Sequence, residues 1–471
     1  METLGHFGDR KLQKLLNVRI PAWIDSVEDI TGEGLCPDVM RITLHQFFLS
    51  YLKNHKLRKS KKAKNFLPDF FPVSSTLLRQ TCTDNYLKYV NALIDFGVVE
   101  RHVSSTGGKS YVVGGHAQLY KWRIPPDYEG GYRFRRETVS KGWLVKAVLR
   151  TRDRHMKECE RTAYELSLDQ PVYSKLFDFY NDIEFDRSLA GASGEYQTTD
   201  DIKFLEAEAI MNHEFVWFKT DSYGHRLHTP ITTMPKEYRK YLRFKGHPDT
   251  PFMSLDIKNS QPYFSAVFMN SRLINDYLPE FIPLLHIAEP YTRNADFLLY
   301  RRLCVEGRLY EFIMGGMGLD TKDKEARDKI KKLFFSSVLF SKTRVYGENS
   351  RFREMFRHAF SSVHKMFQDI KHADEMLLPK LRDIIRPPGK KFRYAKSNNA
   401  YTLVACLMQR SEAALMYQVV APRLIEKGIR FVTIHDSIMC LPDDAALANK
   451  IFIEAFDTLS IPPPTISVNW A

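Results

Sequence analysis

Hydrophobic positions in RITLHQFFLSYLKNHKL, residues 41–57, fall at Ile42, Leu44, Phe47, Phe48, Tyr51 and Leu52, the spacing of an amphipathic helix. The basic run from Lys53 to Lys64 follows and has no apolar face to bury, so it reads either as a solvated loop or as an arm that contacts phosphates. After the short segment SSTLLRQ, DNYLKYVNALIDFG places Tyr86, Tyr89, Val90, Leu93 and Ile94 on one stripe, with Gly97 suited to the C-terminal stop. Two strand-like pieces come next, VVERHVSS and KSYVVGG, joined by Thr106-Gly107-Gly108, which can supply the positive φ values of a tight hairpin. Three helices and a hairpin predict a winged-helix-like module with the Asp84–Phe96 helix as its recognition element. Such modules also serve as protein–protein adaptors.

The stretch Pro125-Pro126-Asp127 followed by Glu129-Gly130-Gly131 is the clearest border in the first half of the chain. Residues 140–167 and the segment Tyr173 to Glu184 read as helices, and LAGASGEYQTTDD as a loop. Further on, FMSLDIKNSQPYFSAVF begins as a strand ending at Asp256 and continues as a helix, and RFVTIHDSIMCLP gives two short apolar strands around His435-Asp436-Ser437. Internal repeats, heptads and low-complexity tracts are absent, which excludes solenoids and coiled coils.

Composition narrows the class. The 471 residues, 44% hydrophobic and 27% charged, suit a globular protein of several domains, and the formal charge of +13 favours a polyanionic partner. Six scattered cysteines form no CxxC pair and read as reduced thiols. With no signal-like N-terminus and no apolar run of the ~20 residues that cross a bilayer, a cytoplasmic protein without a membrane partner is expected.

The chemistry concentrates in Asp256 and Asp436. Single aspartates at strand ends are commonly turn-formers. Two of them delivered by neighbouring strand tips, however, could hold two divalent ions about 3.5–4 Å apart, the arrangement that activates a hydroxyl and stabilises a leaving pyrophosphate. Mg²⁺ suits that use because it prefers oxygen ligands and shares its shell with phosphates; Mn²⁺ is expected to substitute. Between the two acids, EARDKIKKLFFSSVLF repeats Arg327, Lys331, Phe335 and Leu339 every fourth residue. Two cations and an aromatic on one helix face would grip a nucleoside triphosphate, unless the lysines merely snorkel from a core-facing row.

DIKNSQPYFSA, RDKIKKLFF and TIHDSI, in that order, resemble motifs A, B and C of the family A DNA polymerases and their relatives, the single-subunit phage-type RNA polymerases. SYGHRLHTPITTMPKEYR resembles the segment ahead of motif A, and LMQRSEAAL the helix leading into motif C, so the resemblance covers residues 215–471. It implies that Asp256 and Asp436 bind metal and that Arg327 and Lys331 bind nucleotide phosphates. Phe335 would pack on the incoming nucleotide, Arg226 and Gln409 would contact the minor groove, and His435 would sit at the primer terminus. Leu339 and Phe340 depart from the tyrosine and glycine usual in the family.

Gln261 stands where DNA-making relatives carry a glutamate that crowds the 2′ position, and its similar bulk favours deoxynucleotides; Ser437 is the RNA-polymerase-like choice. The expectation is therefore a DNA-dependent DNA polymerase without a proofreading domain, serving a mobile element or phage, with primer-template and nucleoside triphosphates as partners. A single-subunit RNA polymerase, a non-catalytic replication initiator and a metal-dependent nuclease are the alternatives. The expected fold is α+β: a winged-helix-like module over 1–125, a helical linker or reduced thumb over 126–215, and palm and fingers over 216–471.

Overall fold

The computed structural model describes residues 15–59, 69–103, 117–186, 198–341, 347–373 and 402–471. Helix and strand are mixed throughout, and the chain divides into two compact units: residues 1–159, 185–217 and 234–241 form the first, and 160–184, 218–233 and 242–471 the second.

In the first unit, strand β1 (Leu16–Pro21) is followed by helices α1 (Val27–Thr31) and α2 (Pro37–Lys59), strand β2 (Phe71–Val73) and helices α3 (Ser75–Thr81) and α4 (Tyr86–Asp95). Strands β3 (Val99–Arg101), β4 (Gln118–Trp122) and β5 (Phe134–Val139) and helix α5 (Gly142–Asp169) follow, α5 being shared with the second unit at residue 160. The stripe expected on α4 is buried at Tyr86, Tyr89, Val90 and Leu93, and Gly97 stops the helix at φ +77°. Strands β2, β4 and β3 form an antiparallel sheet in that order, with Val99 opposite Trp122. The strand pairing with β3 thus lies at 118–122; the Thr106-Gly107-Gly108 turn, the strand expected at 109–115 and the basic run beyond Lys59 lie outside the described residues, while the run's first part, to Lys59, ends helix α2.

Pro125–Gly131 is a connection inside this unit, not a border. Beyond it β5 pairs antiparallel with β1, from Leu16 opposite Val139 to Pro21 opposite Phe134. Phe134, Trp122, Phe47, Phe71 and Trp23 then share one aromatic core, Trp23 meeting Trp122 edge-on at 5.9 Å. Burying those rings outweighs the local turn signal, because each aromatic contributes several times the free energy of a loop preference.

The second unit is built on a four-stranded antiparallel sheet. Among its elements are β6 (Lys219–Thr220), β7 (Leu227–His228), β8 (Met253–Ile257), α6 (Ser260–Val267), α7 (Lys324–Phe334), α8 (Ser361–Lys371), α9 (Leu403–Ala414), β9 (Phe431–Ile434), β10 (Ser437–Cys440) and β11 (Ile466–Trp470). Strand order is β9-β10-β8-β11, so β8 is central and β11, which sequence patterning did not identify, covers its other edge. Helix α9 is buried at eleven of its twelve positions, hence the weak periodicity of LVACLMQRSEAA.

Candidate active site

Asp256 comes from β8 and Asp436 from the two-residue turn between β9 and β10. The ladder sets Asp256 opposite Ser437, so Asp256 and Asp436 are one position apart on strands about 4.8 Å from each other. The turn is tight because His435 takes φ +56°, the left-handed value that the first central residue of a II′ hairpin requires. Asp256 is exposed and Asp436 half-buried. Burial raises the Asp436 pKa, while the Ser260 hydroxyl and the charges of Arg226 and Lys331 pull it back down.

Behind these acids lies a charge network that motif reading missed. Glu412 on α9 is 1% exposed and takes both ends of the Arg226 guanidinium, Nε at 2.7 Å and Nη2 at 2.6 Å. Its Oε2 also accepts the Gln261 amide at 2.9 Å and the Ser260 hydroxyl at 3.3 Å. Burial pushes the Glu412 carboxyl up to about 7 against the pull of Arg226. Burial likewise works against the charge of Arg226, but Glu412 and Asp436 outweigh it and hold the guanidinium charged. The available signal was an acid in the largely buried helix LVACLMQRSEAA with no cation three or four places away; Arg410, two places before it, is engaged elsewhere.

Arg410 fastens the β6–β7 turn to α9: Nε donates to the Tyr223 carbonyl at 3.0 Å and Nη2 to that of Ser222 at 2.9 Å. Asp221 shapes the same turn by accepting from the amides of Tyr223, Gly224 and Arg226 and from His228. Burial would raise the Asp221 pKa, but His228 and these amides bring it down to about 2. Gln409 packs so closely on Gly224 that a Cβ there would stand 2.6 Å from Gln409 Oε1 and 3.0 Å from its Cβ. Arg226, Gln409 and His435 therefore share one neighbourhood, with the His435 ring edge-on to His228 at 5.6 Å.

On α7, Asp323 caps the N-terminus by accepting from Glu325 and Ala326. Arg327 donates through Nε to Glu311 and through Nη2 to Asn259, both at 2.7 Å, and lies over the Tyr310 ring at 5.2 Å. Lys331 is exposed. The cations do not share the helix's apolar stripe, which consists of Ile330, Leu333 and Phe334. Nor does the four-residue row continue regularly: Phe335–Leu339 is a π-helical turn, whose wider winding sends Leu339 into the core at 0% exposure. Phe335 stays half-buried, its ring 6.2 Å from that of Phe340.

A pair of carboxylates on adjacent strands would suit a hard, oxygen-preferring cation that completes its shell with substrate phosphates and water. Among the described residues there is no group of three or more His, Cys, Asp or Glu that would cage a metal within protein ligands alone, and no helix long and apolar enough to cross a membrane.

A search of solved structures finds a likeness to the POL domain of Pol1 from M. smegmatis in complex with DNA primer-template and dNTP, at 12% identity and a TM-score of 0.38 over 70% of this chain and 75% of that one. No family model and no curated protein matches the chain.

Proposed function

We propose that the chain is a template-directed nucleotidyltransferase, and specifically a DNA polymerase that extends a primer with deoxynucleotides. The observation that carries this reading is the β8–β10 ladder, which sets Asp256 beside Ser437 and so makes Asp256 and Asp436 neighbours although 180 residues separate them.

In this reading Asp256 and Asp436 would hold two divalent ions, Mg²⁺ or Mn²⁺, which supply Lewis acidity at the transferring phosphoryl group. The chain's own residues bind and orient. Arg327 and Lys331 grip the triphosphate, with Arg327 already fixed in direction by Asn259 and Glu311. Phe335 packs on the nucleotide, Gln261 occupies the space a 2′-hydroxyl would need, and Arg226, Gln409 and His435 meet the primer-template end. Palm and fingers then correspond to the second unit. The order α2, β2, α3, α4, β3, β4 with its β2-β4-β3 sheet supports a winged-helix-like module in the first, whose exposed α4 face includes Lys88.

A primed DNA template with Mg²⁺ and either dNTPs or rNTPs tests the proposal. Extension is expected with dNTPs, and Asp256→Ala or Asp436→Ala should lower it by about a hundred- to a thousandfold, the scale seen when a transition-state contact is removed. Extension unchanged in both variants would overturn the assignment. Duplex binding without extension would leave an initiator, and template shortening without nucleotides a nuclease. Lys88→Glu in the full chain should weaken salt-sensitive DNA binding if α4 faces a backbone.

A further inference from the structure

Glu412 lies in LMQRSEAAL, three residues after Gln409, and several side chains of the site converge on it. It draws together two segments remote in sequence: Arg226, 186 residues before it, and the adjacent Ser260 and Gln261, 152 and 151 residues before it. A carboxylate at 1% exposure is costly to bury unless its oxygens are occupied. Here Oε1 takes Arg226 Nε, and Oε2 takes Arg226 Nη2, Gln261 Nε2 and Ser260 Oγ.

We infer that Glu412 is the positioning residue that sets sugar selectivity, holding the Gln261 side chain in a single orientation and tying it to Arg226. The inference rests on the polymerase reading of the site. A glutamine free to rotate occupies several staggered states and blocks a given volume only part of the time. Once Nε2 is tied to a buried carboxylate that is itself fixed bidentately by an arginine, the side chain becomes a stationary wall. Removing the anchor lets Gln261 swing aside. It also releases Arg226, so discrimination at the sugar and grip on the primer end fall together, a linkage that a steric role of Gln261 alone does not produce.

The experiment compares wild type, Glu412→Ala, Glu412→Gln, Gln261→Ala and the Glu412→Ala/Gln261→Ala double variant in parallel dNTP and rNTP extension, with thermal melts of each. Glu412→Ala should raise the rNTP-to-dNTP ratio of kcat/KM about tenfold. The double variant should show no larger ratio than Gln261→Ala, because both changes remove one device. Glu412→Gln, which keeps the volume and one acceptor oxygen, should give an intermediate ratio and serves if the alanine variant does not fold. A ratio unmoved in both single variants, or multiplicative effects in the double, would overturn the inference. If wild type extends no primer, the polymerase reading falls and the positioning role is judged from the crystal structure of Glu412→Gln: displaced Gln261 and Arg226 side chains sustain it, and unchanged ones remove it.

Discussion

Asn259 holds Arg327. Its amide oxygen accepts from the guanidinium Nη2 at 2.7 Å, joining residues 68 apart, while its own Nδ2 donates to the Gly307 carbonyl at 2.6 Å. Asn259 is also one of the few non-glycine residues in left-handed backbone, at φ 53° and ψ 41°, where the chain leaves β8 and enters α6. Asparagine tolerates that conformation better than other side chains. The residue three places after the first aspartate therefore turns the chain and aims a cation of α7 at the same time.

Substituting Asn259 separates those tasks. Asn259→Ala should lose about 2–3 kcal/mol of stability through left-handed strain and lost hydrogen bonds. Asn259→Gly should recover the strain part but not the aim of Arg327. Both should raise the nucleotide KM in extension assays, and denaturant melts should rank alanine below glycine. Equal melts for the two variants would show that the backbone conformation costs nothing there.

Gly224→Ala places a Cβ 2.6 Å from Gln409 Oε1 and 3.0 Å from Gln409 Cβ, distances at which something must move. Overpacking of this kind costs about 1–3 kcal/mol. The β6–β7 turn should shift away from α9, and primer-template affinity should fall with the melting temperature. A variant in which stability drops while affinity holds would separate the turn from nucleic-acid contact.

Asp221 makes acid stability testable. Its pKa is near 2 in the folded chain against 3.8 ordinarily, so its contribution is complete above about pH 4 and is lost as pH falls from there through 2. That contribution is at most about 2 kcal/mol, less for solvent screening because the side chain is 31% exposed. Urea melts of Asp221→Asn should show lower stability at pH 6 and a flatter decline below pH 4 than wild type. Parallel curves would assign the acid lability elsewhere.

Lys371 points the opposite way. Buried at 4% exposure on α8, its Nζ donates to the Val338 carbonyl and to the carbonyl and hydroxyl of Ser341, closing the end of the α7 extension. Burial, with Arg353 adding repulsion, brings its pKa down to about 7 from 10.5. The folded state then binds fewer protons than the unfolded one between pH 7 and 10, so this residue alone makes stability rise with pH across that window. Lys371→Met should remove that rise relative to wild type and cost about 1–3 kcal/mol from carbonyls left unpaired. Matching pH slopes would reject the shift.

Periodicity located α4 and most of α2 and α5, each of which buries one face, while the strands around Asp436 were legible as short, largely apolar runs buried at every position. It failed where burial is all-round, as in α9, and where a strand is exposed at a sheet edge, as in β11, three of whose five residues face solvent. Residues 125–131 carried a border-like composition, yet pairing of β5 with β1 made them a connector.

What the amino-acid order alone determined is the chemical inventory and its local presentation: acids at strand ends, cations four apart on a helix, a glycine before Arg226. Proximity was a property of the fold. Asp256 became the neighbour of Asp436 through ladder register, and Arg226 reached Glu412 only because Arg410 and Asp221 moulded the turn that carries it. Short-range preferences act over a few residues of chain. A buried carboxylate finds its countercharge across 186 residues only when the whole core has excluded the water that would otherwise solvate both.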